Sequence, residues 1–125
     1  MEAKELRIGN YIDDERTTHV VYGVDNYYIK SYWLKDIDRE TLYETKKEYI
    51  KPIPLTEEWL LKFGFEKNLK DLSWSLPNRV PLTFYFDGER LSVKFYQGNE
   101  KRYVHQLQNL YFALTNEELT IKQVI

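Results

Sequence analysis

The chain reads as an α+β protein: a small SH3-like β-barrel half, then a helix, a three-stranded antiparallel meander and a second helix. Three observations predict this. Short runs rich in Tyr, Val, Ile and Thr fill residues 1–52, separated by Asp, Asn and Gly. The stretch IPLTEEWLLKFGFE, Ile53–Glu66, carries helix start and stop signals. Apolar residues recur at helical spacing in YVHQLQNLYFAL, Tyr103–Leu114. The expected organisation is a β-barrel-like half over residues 1–52 and an α-β-β-β-α half over 53–125, packed as one compact unit.

In the first half, LRIGNYI (Leu6–Ile12) alternates so that Leu6, Ile8 and Ile12 share one strand face. Runs Thr18–Val24 and Tyr27–Leu34 flank Asp25-Asn26, and a two-residue turn there sets Tyr22 opposite Ile29 and Val24 opposite Tyr27. Lys35–Lys47 is polar, with Ile37 and Leu42 its aliphatic anchors, and reads as a loop, a helical turn or a ragged edge strand. Glu48–Ile53 reads as a last strand, kept at an edge by Pro52 and Pro54.

The central helix has Thr56 to cap the first amides, Glu57 and Glu58 where the dipole favours anions, and Gly64 as a left-handed stop. Leu55 can staple onto Leu60. Two turns of helix are unstable alone, so Trp59, Leu60 and Phe63 must pack on a sheet. Beyond it, Leu72, Trp74 and Leu76 alternate with Ser73 and Ser75 as a strand with one buried face. Val80–Phe86 and Glu89–Tyr96 flank Asp87-Gly88, a preferred type I′ pair. The register this implies sets Phe84 against Leu91, Leu82 against Val93 and Val80 against Phe95 on one face, with Thr83, Ser92, Tyr85 and Arg90 on the other. In the second helix Val104, Leu107, Tyr111 and Leu114 make the apolar stripe, widened by Tyr103 and Leu110, Gln106, Gln108 and Asn109 fall mainly on its flanks or the opposite face, and Asn116 is the left-handed cap. Both helices are expected on the Leu82/Phe84/Leu91/Val93 face.

Composition narrows the functional classes. Eighteen basic against 20 acidic residues among 125 leave a net charge of −2, so no global field draws the chain to nucleic acid or anionic lipid. The lack of cysteine removes disulfides, thiolate metal sites and a cysteine nucleophile, and fits a reducing cytoplasm. Neither a signal peptide nor a run of 18 apolar residues is legible, so cytoplasmic is the expected location and no membrane partner is expected.

No GxGxxG, GxxxxGK[ST], GxSxG or HExxH motif occurs. His105 has Lys101, Arg102, Gln108 and Asn109 at its neighbouring helical positions rather than a carboxylate, and His19 beside Thr17 and Thr18 makes no triad signature. The acidic groups Asp13-Asp14-Glu15 and Asp36-Ile37-Asp38 have hard-cation chemistry, but adjacent loop carboxylates are more often solvated surface. An enzyme, a metal and a cofactor are therefore not expected.

The best functional candidate is aromatic and basic. The chain is 16% aromatic with eleven tyrosines, which a β-rich core accounts for unless some are outward. Tyr27, Tyr28, Lys30, Tyr32, Trp33 and Lys35 lie on one predicted hairpin strand, and alternation forbids that all face one core. If Tyr28, Lys30 and Tyr32 face outward they form a ridge able to hold a protein, a peptide or a base. Arg90 and Lys94, with Lys101 and Arg102, form a second basic set beside the meander. The leading expectation is a non-enzymatic protein-binding factor; the alternative is a nucleic-acid-binding module using the SH3-like half, and the third a nucleotide- or small-molecule-sequestering protein with its pocket between the halves.

The segments LRIGNYI, PIPLTEEWLLKFGFEK and YVHQLQNLYFALTNEEL, in this order, resemble a family of small uncharacterised proteins from Bacteroides-type bacteria and their phages and mobile elements. The resemblance spans both ends and the centre of the chain. It implies a mobile-element context, and no site residues. The family pattern has Gly where this chain has Asn116, which suits a left-handed cap.

Overall fold

The computed structural model describes residues 5–13, 17–34, 42–76, 83–93 and 101–122. They form an α+β arrangement of two antiparallel four-stranded sheets and two helices, α1 (Glu57–Lys62) and α2 (Val104–Thr115). The chain divides into two compact units, residues 1–53 with 104–118, and 54–103 with 119–125. The break after Ile53 lies where the two prolines end the first run of strands. The second helix, expected on the meander, groups with the first unit instead.

In the first unit the order is β1 (Tyr11–Asp13), β2 (Thr18–Val24), β3 (Tyr28–Trp33), β4 (Leu42–Lys46). This sheet is not a closed barrel; a single bridge, Asp13 to Lys51, extends it beyond β1. The strand expected over residues 48–53 is replaced by a 3-10 turn at Lys47–Tyr49 and that bridge. Leu6, Ile12, Val21, Ile29 and Ile50 form the apolar core.

Ile8 was expected inward, yet it is 67% exposed. Gly9 takes φ +97° and Asn10 N donates to Arg7 O at 3.1 Å, so Arg7–Asn10 is a tight turn that interrupts the alternation. The strand begins only at Tyr11.

Both hairpin turns lie one residue later than expected, and for one reason. Asp25 Oδ1 accepts from the N–H groups of Tyr27 (2.8 Å) and Tyr28 (2.7 Å), and Asp87 Oδ1 accepts from those of Glu89 (2.9 Å) and Arg90 (2.8 Å). Each aspartate thus starts the turn and caps it with its carboxylate, rather than occupying a central position. These backbone bonds hold both carboxyls below the usual aspartate range, Lys30 and Lys47 reinforcing Asp25 and Arg90 reinforcing Asp87. The registers follow: Val24 opposes Ile29 and Phe84 opposes Val93. A two-residue shift preserves the face, so Phe84 and Leu91 still share one, and both are buried. In β2 a bulge at Tyr22 then changes the register again.

The second unit has sheet order β5 (Glu66–Lys67), β6 (Ser73–Ser75), β7 (Thr83–Phe86), β8 (Leu91–Val93), one short strand more than the expected meander. Helix α1 is as its sequence signals describe. Thr56 Oγ1 accepts from Trp59 N, Gly64 has φ +93°, and the Gly64 and Phe65 amides donate to Leu61 O and Leu60 O, a Schellman stop. Leu55, Trp59, Leu60, Phe63 and Phe65 are buried. Residues 117–122 form no strand; Leu119 is buried, and Lys122 N donates to Lys62 O. Val80, Leu82 and Phe95 lie outside the described residues.

Leu72, expected inside a strand, is 58% exposed with φ +61°. It closes the β5–β6 turn by donating to Asn68 O at 2.7 Å. A branched side chain in the left-handed region costs about 1–2 kcal/mol, part of which glycine returns as freedom of the unfolded chain. Leu72→Gly is therefore expected to stabilise the protein by up to about 1 kcal/mol in urea denaturation; a loss would place the Leu72 side chain in a packing role.

Candidate functional site

Strand alternation sorts the first sheet into two faces. Ile12, His19 and Trp33 are in register on one, as are Val21, Ser31 and Tyr43. The other carries the row Tyr11, Val20, Tyr32, Leu42, then Gly23, Lys30, Glu44, then Tyr28 beside Lys46. Tyr28, Lys30 and Tyr32 do share a face, and it is not the face of the apolar core. Trp33 does not join them. Arg90 stands in a turn of the second unit, its Nε 3.9 Å from Asp87, and Lys94 lies outside the described residues.

Exposure rises across this outer face from β1 to β4. Tyr11 is 5% exposed and Val20 8%, whereas Leu42, on the edge strand, is 58% exposed. Tyr28, Lys30 and Tyr32 lie between these limits, half-buried. The open part therefore centres on β3. Tyr22, displaced by the bulge, stacks on Tyr32 with centroids 6.4 Å apart and planes 26° apart, and was not singled out from the sequence. The Lys30 stem lies over Gly23, where a Cβ would come within 3.2 Å of it, and its ammonium is 3.9 Å from Glu44. The arrangement is three tyrosines and a lysine held on two paired strands, β2 and β3, with leucine at the edge. Such groups give large contact area with little side-chain entropy to lose.

The core-side aromatics are differently placed. Trp33 stacks parallel on Tyr43 at 5.7 Å, and His19 meets Tyr43 edge-on at 5.2 Å. Ser31 Oγ and His19 Nδ1 are 2.9 Å apart, the distance of a nucleophile and its base. Ser31 is 1% and His19 0% exposed, so the pair links strands out of reach of any substrate.

The polar side chains of α2 make a second constellation, which sequence reasoning had assigned to the helix flanks. Gln108 is fully buried: its Oε1 accepts from Tyr11 N at 2.9 Å and its Nε2 donates to Gly9 O at 3.0 Å. Asn109 Oδ1 accepts from Asn10 Nδ2 at 3.0 Å and from Arg7 at 2.9 Å, and its Nδ2 donates to Glu5 O at 2.6 Å. Arg7 also pairs with Glu118 and lies 4.1 Å over the Phe112 ring. His105, buried, has Glu5 Oε2 at 3.1 Å from Nε2, a carboxylate partner from 100 residues away. Burial lowers its pKa from 6.5 more than Glu5 raises it. This network bonds the Gly9 carbonyl of the Arg7–Asn10 turn and the Tyr11 amide and Glu5 carbonyl that flank it, and its buried members are closed to substrate.

Among the described residues no three His, Cys, Asp or Glu side chains gather as metal ligands, and no helix is long and apolar enough to cross a membrane. Neither family models, curated proteins nor solved structures gave a match to this chain.

Proposed function

We propose that this chain is a non-enzymatic accessory protein of a phage or mobile element, acting in the cytoplasm, that binds a protein partner through the Tyr22/Tyr28/Lys30/Tyr32 face of its first sheet. The observation that carries the reading is the gradient of exposure across that face. A sheet built only for its own core covers its aromatics; here the tyrosines are left half-open beside an exposed leucine on the edge strand. In this reading the first half is SH3-like in character, a small curled sheet offering one aromatic face. Tyrosine is enriched at interface centres, and Lys30 beside Glu44 supplies charges of both signs at the rim.

The test is capture of partner from host lysate by tagged wild type and by Tyr28→Ala and Tyr32→Ala, with and without nuclease. The substitutions are expected to lower the melting temperature by no more than a few degrees, as for about 1 kcal/mol in a chain of this size, and to abolish capture of one defined protein. Retained capture, or collapse of the fold, refutes the reading. Loss of capture on nuclease treatment transfers the function to nucleic acid.

A further inference from the structure

An open pocket of about 500 Å³ lies at the turn end of the first sheet, lined by Asn26, Tyr27, Tyr28, Lys46, Lys47 and Glu48. Its walls are fixed by the backbone. Tyr28 and Lys46 are in register across β3 and β4, Lys47 N donates to Tyr27 O at 3.2 Å, and the Asp25 carboxylate holds the Tyr27 and Tyr28 amides. Tyr27 is 74% exposed, so its ring has not been used for the core. Among the described residues neither Lys46 nor Lys47 forms an ion pair. An unpaired lysine couple beside an open phenol ring, on a braced turn, combines the two elements that recognise a planar base carrying a phosphate.

We propose that this pocket binds a nucleotide unit, its base stacked on Tyr27 and its phosphate held by Lys46 and Lys47. Stacking on an aromatic face is tolerant of base identity, and ammonium groups bind phosphate as point charges. The selective element is Glu48, with Asn26. A carboxylate accepts hydrogen bonds only, so adenine, whose exocyclic amine offers two donor hydrogens, is favoured over uracil, which offers the single imide N–H. The ligand has two sources, a free nucleotide or one residue of a single strand. The site adjoins the proposed protein-binding face, since Tyr28 lines both, but Tyr27, Lys46 and Lys47 are not the residues on which that reading is tested.

The experiment is a titration of the full chain followed by amide NMR, using adenosine monophosphate, uridine monophosphate, inorganic phosphate and a short oligodeoxyadenylate as probes. Adenosine monophosphate is expected to shift the Tyr27, Tyr28 and Lys47 amides and to bind more tightly than the uridine nucleotide or phosphate. Tyr27→Ala is expected to weaken binding about tenfold, the loss of one stacked base. Lys46→Gln and Lys47→Gln should each weaken it and reduce its salt dependence. These side chains are at the surface, so unchanged spectra elsewhere will show that the variants fold. Tighter binding of the oligonucleotide than of the mononucleotide assigns the site to single strands, and equal binding assigns it to free nucleotide; both uphold it. Absence of shifts with both adenine probes, equal affinity for inorganic phosphate, or variants that bind like wild type would overturn it.

Discussion

Phe84→Ala is expected to destabilise the second unit by about 3–5 kcal/mol, the cost of removing a fully buried phenyl ring. Phe84 has no exposed surface, stands opposite Trp74 in the sheet, and meets the Phe65 ring at 5.6 Å with planes 80° apart. Phe65 is itself set by the Gly64 stop, so the cavity would open beneath its ring, just beyond the end of α1. A loss of this size is comparable with the whole stability of a small domain, about 5–15 kcal/mol. Urea denaturation followed by tryptophan fluorescence reads it, with Trp74 as the local reporter. Tyr85→Ala is the control: on the next position of the same strand, facing the other way and 37% exposed, it should cost about 1 kcal/mol or less. Equal losses at the two positions would mean that the faces of β7 have been assigned the wrong way round.

Gln108→Ala is expected to cost about 2–5 kcal/mol, because it removes both partners of a buried backbone pair. The Tyr11 amide and the Gly9 carbonyl would each be left at the price of desolvation without a bond. Gln108→Glu separates the two contributions: it keeps an acceptor for Tyr11 N and loses the donor to Gly9 O. It also buries a charge, so its deficit should grow as pH rises through the carboxylate range. Amide hydrogen exchange at Tyr11 is the second readout, since loss of protection there locates the damage at the turn. Wild-type Gln108 behaviour in both assays would show that α2 is held by its apolar stripe alone.

The same network makes a pH prediction through His105. Its folded pKa lies below the 6.5 of the free side chain, so as pH falls the unfolded chain takes up the proton first. Stability is therefore flat above 6.5 and declines as pH drops below it, until the folded-state pKa is passed. Glu5 moderates the decline. His105→Gln should remove this part of the slope in denaturation curves recorded between pH 8 and 5.

The helices were legible because their signals are local. Thr56 and Gly64 lie within a turn of the bonds they make, and Asn116, at φ +61°, ends α2 by the same logic. The stripe along α2 was legible in part: Val104, Leu107 and Tyr111 are buried, whereas Leu114 is 49% exposed. The ridge of Tyr28, Lys30 and Tyr32 could be read as a set because alternation places them on one face whatever the register. That Trp33 is excluded from it follows from the same alternation.

Sequence by itself determined the α+β class, the extent and ends of both helices, and that Tyr28, Lys30 and Tyr32 share a face, since each rests on contacts a few positions apart; Ile8 and Leu72 left their expected faces because tight turns interrupt the alternation. Tertiary structure alone decided which face of the first sheet would stay open, that Tyr22 would stack on Tyr32, and what Gln108, Asn109 and His105 would hold. Gln108 reaches Tyr11 across 97 positions and His105 reaches Glu5 across 100. No periodicity or propensity encodes a bond over that separation; it exists only when the fold has brought a buried donor and acceptor together, and the cost of leaving them unpaired then makes it obligatory.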